Sequence, residues 1–220
     1  MKYKEKIATI SDLESILIVE NGEPLVKLTP SDFLDPSYER EDMVSFTGHN
    51  ILVRYSVAKM LNTAAVYLNS KLPDSKLKIA YGYRHPIVQK KYFNERIKEI
   101  KLKSPGLNTL ELKEEAHKYT ADPIIAGHPT GGAVDVNILI NDIPIDMGGQ
   151  ISDFKDKNII RTFSDNINKT QRYNRLLLRE VMLSQGFAPY DGEWWHFSYG
   201  DREWAFYYNK SVAIYDQINL

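Results

Sequence analysis

The chain of 220 residues contains no cysteine. That absence removes disulfides, thiol nucleophiles, iron–sulfur clusters and cysteine-ligated zinc together. Any metal site must therefore be built from His, Asp or Glu. No stretch of about 18 uninterrupted apolar residues occurs, so no transmembrane helix is expected. The first residues, Met1 to Lys6, are mostly charged and lack the apolar run of a signal peptide. A cytoplasmic (bacterial) protein without a membrane partner is the expectation. An excess of charge of one sign is missing too: 28 Lys and Arg stand against 29 Asp and Glu. No basic face for nucleic acid is thereby expected. Repeats, low-complexity tracts and linkers are absent, and the length suits a single domain over residues 1–220. At 43% hydrophobic and 26% charged, the composition is that of a folded globular chain.

Periodicity supplies the elements. Short strands are expected around Ile16 to Val19 and at Leu25-Val26, among the turn signals of the first 50 residues. From Tyr55 to Lys71, Val57, Met60, Leu61, Ala64, Ala65 and Leu68 share one helical face, and Pro73-Asp74 ends the run. Leu77, Ile79 and Tyr81 alternate with Lys76, Lys78 and Ala80 as a half-buried strand. Residues 87–118 read as charged helix, interrupted at Ser104-Pro105-Gly106, with its charge run as a solvated face. Ala133 to Leu139 alternates again. Gln171 to Gln185 is an amphipathic helix with Tyr173, Leu176, Leu177 and Val181 inward and Gly186 as its stop. A last strand is expected over Glu193 to Tyr199. Strands and helices do not alternate regularly, which favours an α+β fold over a doubly wound parallel sheet.

Two segments carry chemistry: Gly127-His128-Pro129-Thr130-Gly131-Gly132-Ala133-Val134-Asp135 and Gly192-Glu193-Trp194-Trp195-His196. His128 and Asp135 can share a metal only if the chain doubles back between them, and Pro129 to Gly132 has the residues for that bend. An acid amid Ala133, Val134 and Val136 is expensive to bury unless paired or metal-bound. Glu193 and His196 lie three apart, so on an ideal strand they face opposite ways. Either Glu193 sits in the turn entering the strand or a bulge re-aims one of them. Two Trp beside Glu193 exclude water and raise a carboxyl pKa. Taken singly, each of these residues has an ordinary reading: a surface or core His, a turn Asp, a core Trp pair. Together, two His, an Asp and a spare Glu make a metal hydrolase set, because catalytic zinc takes three protein ligands and a carboxylate shuttles the proton.

The same residues resemble a known family, the zinc D-alanyl-D-alanine peptidases, and most closely their dipeptidase (VanX-type) branch. The resemblance rests on His128 to Asp135 and Glu193-Trp194-Trp195-His196. It is strengthened by Gly82-Tyr83-Arg84, Asp146-Met147-Gly148 and the helix Asn174 to Arg179 leading to Gly186-Phe187. It covers roughly residues 55–200 in the family's order. It implies a Hedgehog/DD-peptidase-like fold, a mainly antiparallel sheet flanked by helices. It implies one zinc ion on His128, Asp135 and His196, Glu193 as catalytic acid/base and Arg84 at the oxyanion. It also implies D-Ala-D-Ala or a related short peptide as substrate, with Tyr83, Gly127 and Asp153 as candidate substrate contacts. The sequence departs from the family at four places. Tyr81 stands where the family often has Asp, and His85 displaces the Pro after the arginine. Gly127 replaces a Ser, and Asp153 lies one residue late. A D-Ala-D-Ala carboxypeptidase or lytic endopeptidase shares the zinc set, and a non-catalytic zinc-scaffold binding domain is the reading from another class.

Overall fold

The computed structural model describes residues 7–38, 40–154 and 156–220. The run Met1 to Lys6 lies outside them. In chain order the elements are α1 (Ile10–Glu14), β1 (Leu17–Ile18), β2 (Leu25–Lys27), β3 (Leu34–Pro36), α2 (Val44–Thr47), β4 (Leu52–Arg54), α3 (Tyr55–Lys71), β5 (Ser75–Tyr81), α4 (Pro86–Lys103), α5 (Thr109–His117), β6 (Ala133–Ile140), β7 (Ile143–Pro144), α6 (Lys157–Ile160), α7 (Lys169–Ser184), β8 (Ala188–Pro189), β9 (His196–Ser198), α8 (Arg202–Tyr207) and β10 (Val212–Ala213). Among the described residues no helix is long and apolar enough to cross a membrane.

The central sheet runs β3-β5-β6-β9-β8, with β7 also paired to β6. Only the β3–β5 pair is parallel; the others are antiparallel. The fold is thus α+β with a mainly antiparallel sheet, as the irregular order of strands and helices implied. Val134, Val136 and Ile138 of β6 join Leu77 and Ile79 of β5 in one buried cluster with α3 and α7. From α3 come Val57, Leu61, Ala64, Ala65 and Leu68, all fully or almost fully buried and at helical spacing. Side chains alternate across a strand, so Asp135 belongs to the other face, and the register shift between Ile79 and Tyr81 turns Tyr81 to that face as well. There α4 and α5 pack on one another and wall a cavity.

The helix α7 differs from its expected orientation. Tyr173 is 64% exposed and Leu176 36%, whereas Leu177, Leu178, Val181 and Met182 are buried. The reason is Arg175, which the pattern assigns to the polar face. It is wholly buried, and its guanidinium donates to the backbone oxygens of Met147, Ile159 and Arg161. Arg179, one turn on, pairs with Asp191 at 3.0 Å. Arg175, Leu178, Arg179 and Met182 follow the i, i+3, i+4, i+7 spacing of a buried stripe, so buried arginines bonded to backbone oxygens and to Asp191 rotate the helix away from the purely apolar face. Two smaller differences lie at strand ends. The last strand holds only His196–Ser198, and α1 precedes the short β1 where a strand alone was expected.

Candidate metal centre

The sheet itself brings the two motifs together. In the β6–β9 ladder Asp135 stands opposite His196. On the other side Tyr81 stands opposite Asp135, after a register shift between Ile79 and Tyr81. His128 arrives by the bend that the glycines allow. His128–Thr130 form one short 3-10 turn, closed by Gly131 in the left-handed region at φ +73°. A side chain at Gly131 would be strained and would also meet Leu25 at 2.3 Å. The Thr130 hydroxyl locks the bend, donating to Gly127 O at 2.7 Å and accepting from Gly132 N at 2.9 Å.

Both imidazoles then converge on one carboxylate oxygen. His128 Nε2 lies 3.4 Å from Asp135 Oδ1, and His196 Nδ1 lies 3.1 Å from the same atom. His128 Nδ1 sits 2.8 Å from Gly82 O. A carbonyl only accepts, so Nδ1 carries the proton and the Nε2 lone pair faces Asp135. His196 turns its Nε2 to Glu203 Oε2 at 3.5 Å. Each histidine therefore has one nitrogen held by an outer acceptor and the other aimed inward, the arrangement of metal-ligating imidazoles. His128, Asp135 and His196 are the one group of three His or acidic side chains, among the described residues, whose ligand atoms come within 4.8 Å of one another. Two imidazoles and a carboxylate, without thiolate, fit zinc with a position left open.

Charge in the cluster is strongly coupled. Burial works to raise the Asp135 carboxyl, but the two imidazoles outweigh it and hold it well below the carboxylate range. Burial keeps His128 below the usual histidine value, against the pull of Asp135. For His196 burial acts the same way, yet its bonds to Asp135 and Glu203 prevail and raise it well above that value. A cation at this site competes with the His196 proton, so metal binding releases protons.

Glu193 lies in the turn before β9, the first of the two placements open to it, and lines the same cavity as His128, Asp135 and His196. Trp195 lines the cavity beside it, and Trp194 backs Trp195 edge-to-face at 5.4 Å from the core. Burial pushes the Glu193 carboxyl up to about 8; nearby Asp135 and Glu203 add to this, while His196 and Arg84 pull it down. Arg84 follows β5. Its backbone N–H donates to His128 O at 3.2 Å, and its guanidinium donates to Gln89 Oε1 at 2.8 Å while lying 4.5 Å over the Tyr81 ring. The five residues share an open cavity of about 250 Å³.

The remaining expected contacts divide. Gly127 lines the cavity, and a Cβ there would sit 2.1 Å from Asp201 Oδ2, so the close approach of Asp201 requires glycine. Tyr83 points elsewhere: it is buried beside Met43 and Val88, and its hydroxyl donates to Ile218 O at 2.7 Å. Tyr83 lies past the end of β5, where strand alternation no longer sets the side-chain direction. Asp153 is not a lining residue, although its neighbours Ser152 and Phe154 are. Glu203, Gln89 and Arg40 line the cavity without having stood out in the sequence. The signal for Glu203 was the acidic pair Asp201 and Glu203 just after β9, with Asp201 capping α8.

Comparison with known proteins gives consistent matches. The Peptidase_M15 family model, described as D-ala-D-ala dipeptidase, matches residues 46–217. A D-alanyl-D-alanine dipeptidase of Synechocystis sp. is 30% identical over 93% of this chain and 93% of its own length. One from Enterococcus faecalis is 31% identical over 40% of this chain and 44% of its own. A solved structure of the vancomycin resistance D,D-pentapeptidase VanY, a mutant in complex with Zn(II), aligns over 90% of this chain and 96% of that one, at 19% identity and a TM-score of 0.44.

Proposed function

The chain belongs to the D-Ala-D-Ala dipeptidase family of peptidases, and from that premise we propose that it hydrolyses the D-Ala-D-Ala dipeptide to two D-alanines with one zinc ion held by His128, Asp135 and His196. The observation that carries this reading is the convergence of both imidazoles on Asp135 Oδ1, in one cavity with Glu193 and Arg84. Zinc, when bound, supplies Lewis acidity to the scissile carbonyl and to the attacking water.

The chain's own residues do the rest. Glu193 takes the proton of the attacking water on its carboxylate and hands it to the leaving amine. A carboxyl raised by burial is suited to both halves of that transfer, since a base and an acid near working pH are both accessible. The Arg84 guanidinium holds the carbonyl oxygen as negative charge develops on it, and burial keeps that interaction from being screened by water. Trp195 closes the wall next to Glu193 and keeps bulk solvent from it. To Asp153 we assign the anchoring of the substrate's free amine, on the segment whose Ser152 and Phe154 line the cavity.

The test is D-alanine release by zinc-loaded protein from D-Ala-D-Ala and from its N-acetylated form. Loss of one ion pair to the amine is expected to lower kcat/KM for the blocked peptide by about 10- to 100-fold. Equal release from both would make the protein a carboxypeptidase, and release from neither would remove the dipeptide as substrate.

A further inference from the structure

Arg40 precedes the stretch 46–217 that the family model matches, yet it lines the site cavity. Two residues on is Asp42, whose carboxylate accepts hydrogen bonds from three phenols: Tyr38, Tyr81 at 2.8 Å and Tyr92 at 2.5 Å. Three donors nearly fill the lone-pair positions of an ionised carboxylate, so the Tyr81 and Tyr92 rings are fixed in direction. Two guanidinium groups lie on these rings. Arg84 stands 4.5 Å from the Tyr81 centroid and 5.4 Å from that of Tyr92. Arg40 stands 5.6 Å and 6.0 Å from the same two.

The cavity-lining arginines differ in what holds them. Arg84 donates to Gln89, and Arg96 pairs with Glu99 at 2.7 Å between the Tyr119 and Phe154 rings. Arg40 has no hydrogen bond or ion pair among the described residues, although it is half-buried. A partly desolvated guanidinium without an anion is unfavourable unless a ligand completes it. Acidic side chains elsewhere in the cavity repel a carboxylate and leave Arg40 as its partner.

We propose that Arg40 binds the free carboxylate of the substrate, and that the tyrosine pair anchored by Asp42 aims Arg40 at the carboxylate and Arg84 at the scissile carbonyl. The inference rests on the peptidase reading above and deepens it: the site selects peptides with a free C-terminal carboxylate through a residue of the N-terminal segment. A planar fork matches a carboxylate with two parallel hydrogen bonds, which a lysine cannot supply.

The experiment compares D-Ala-D-Ala with its C-terminal amide on wild-type protein, Arg40→Gln and Arg40→Lys. Wild type is expected to prefer the free acid by about 10- to 100-fold in kcat/KM, mostly through KM. In Arg40→Gln the two substrates should become equal, and Arg40→Lys should keep part of the preference. An undiminished preference in Arg40→Gln would overturn the proposal. A calorimetric titration of D-Ala-D-Ala into the zinc-loaded proteins separates this from failure of the peptidase reading. If wild type turns over neither substrate, that reading fails, and the affinities still decide the role of Arg40. A loss of about tenfold or more in Arg40→Gln supports it; equal affinity, or no binding by wild type, overturns it.

Discussion

His196 sits between two carboxylates, with Nδ1 on Asp135 and Nε2 on Glu203. Glu203 is thus an outer acceptor that fixes which nitrogen faces Asp135 and the proposed metal, as the Gly82 carbonyl does for His128. Glu203→Gln keeps the shape but weakens the pull on the Nε2 proton. Zinc affinity should then fall about 10- to 100-fold, measured by competition with a chromophoric chelator. An unchanged affinity would reduce Glu203 to a bystander. In sequence, the bend between His128 and Asp135 and the turn before His196 were legible locally, but nothing in their spacing joins residue 128 to residue 196, and only the family resemblance proposed the three as one ligand set. Glu203 was not legible, because its role appears only once the turn after β9 folds α8 back over His196. Tyr83 shows the opposite case. It stands beside Arg84 in sequence, but its hydroxyl bonds to Ile218 O, a partner from the far end of the chain.

At the scale of elements, hydrophobic period located α3, β5, β6 and the break between α4 and α5 well. It mis-aimed α7 because hydrophobic pattern treats arginine as solvent-facing. Arg175 is buried because three backbone oxygens from two loops meet it, and no local pattern records those loops. The rotation has a measurable consequence. Leu178 is fully buried and Tyr173 largely exposed. Leu178→Ala should destabilise the protein by about 2–5 kcal/mol, and Tyr173→Ala should stay within about 0.5 kcal/mol of wild type, in denaturant unfolding. The reverse order would restore the orientation expected from apolar spacing alone.

Across the whole molecule, distant segments are tied to the site by buried arginines. Arg54 donates to Thr130 O in the bend after His128, to Glu20 near the N-terminus and to Asp216 O near the C-terminus. Asp42 is tied to β5 and α4 by accepting from Tyr81 and Tyr92. Such pairings span scores of residues, so sequence reading left the first 50 residues without a role, although they furnish Arg40 and the frame under Arg84. The charged stretch 94–118, by contrast, is mostly the solvated outer face of α4 and α5, as its charge pattern implied, with Glu95, Arg96, Glu99 and His117 turned to the cavity.

The central claim is that a carboxylate raised by burial moves the proton at a zinc site built on His128, Asp135 and His196. It is tested most directly by D-alanine release from D-Ala-D-Ala by zinc-loaded wild type and Glu193→Gln, with bound zinc measured in both. The expected result is equal zinc content and a loss of about 10²- to 10⁴-fold in kcat for the variant. Turnover by Glu193→Gln at the wild-type rate would contradict the account.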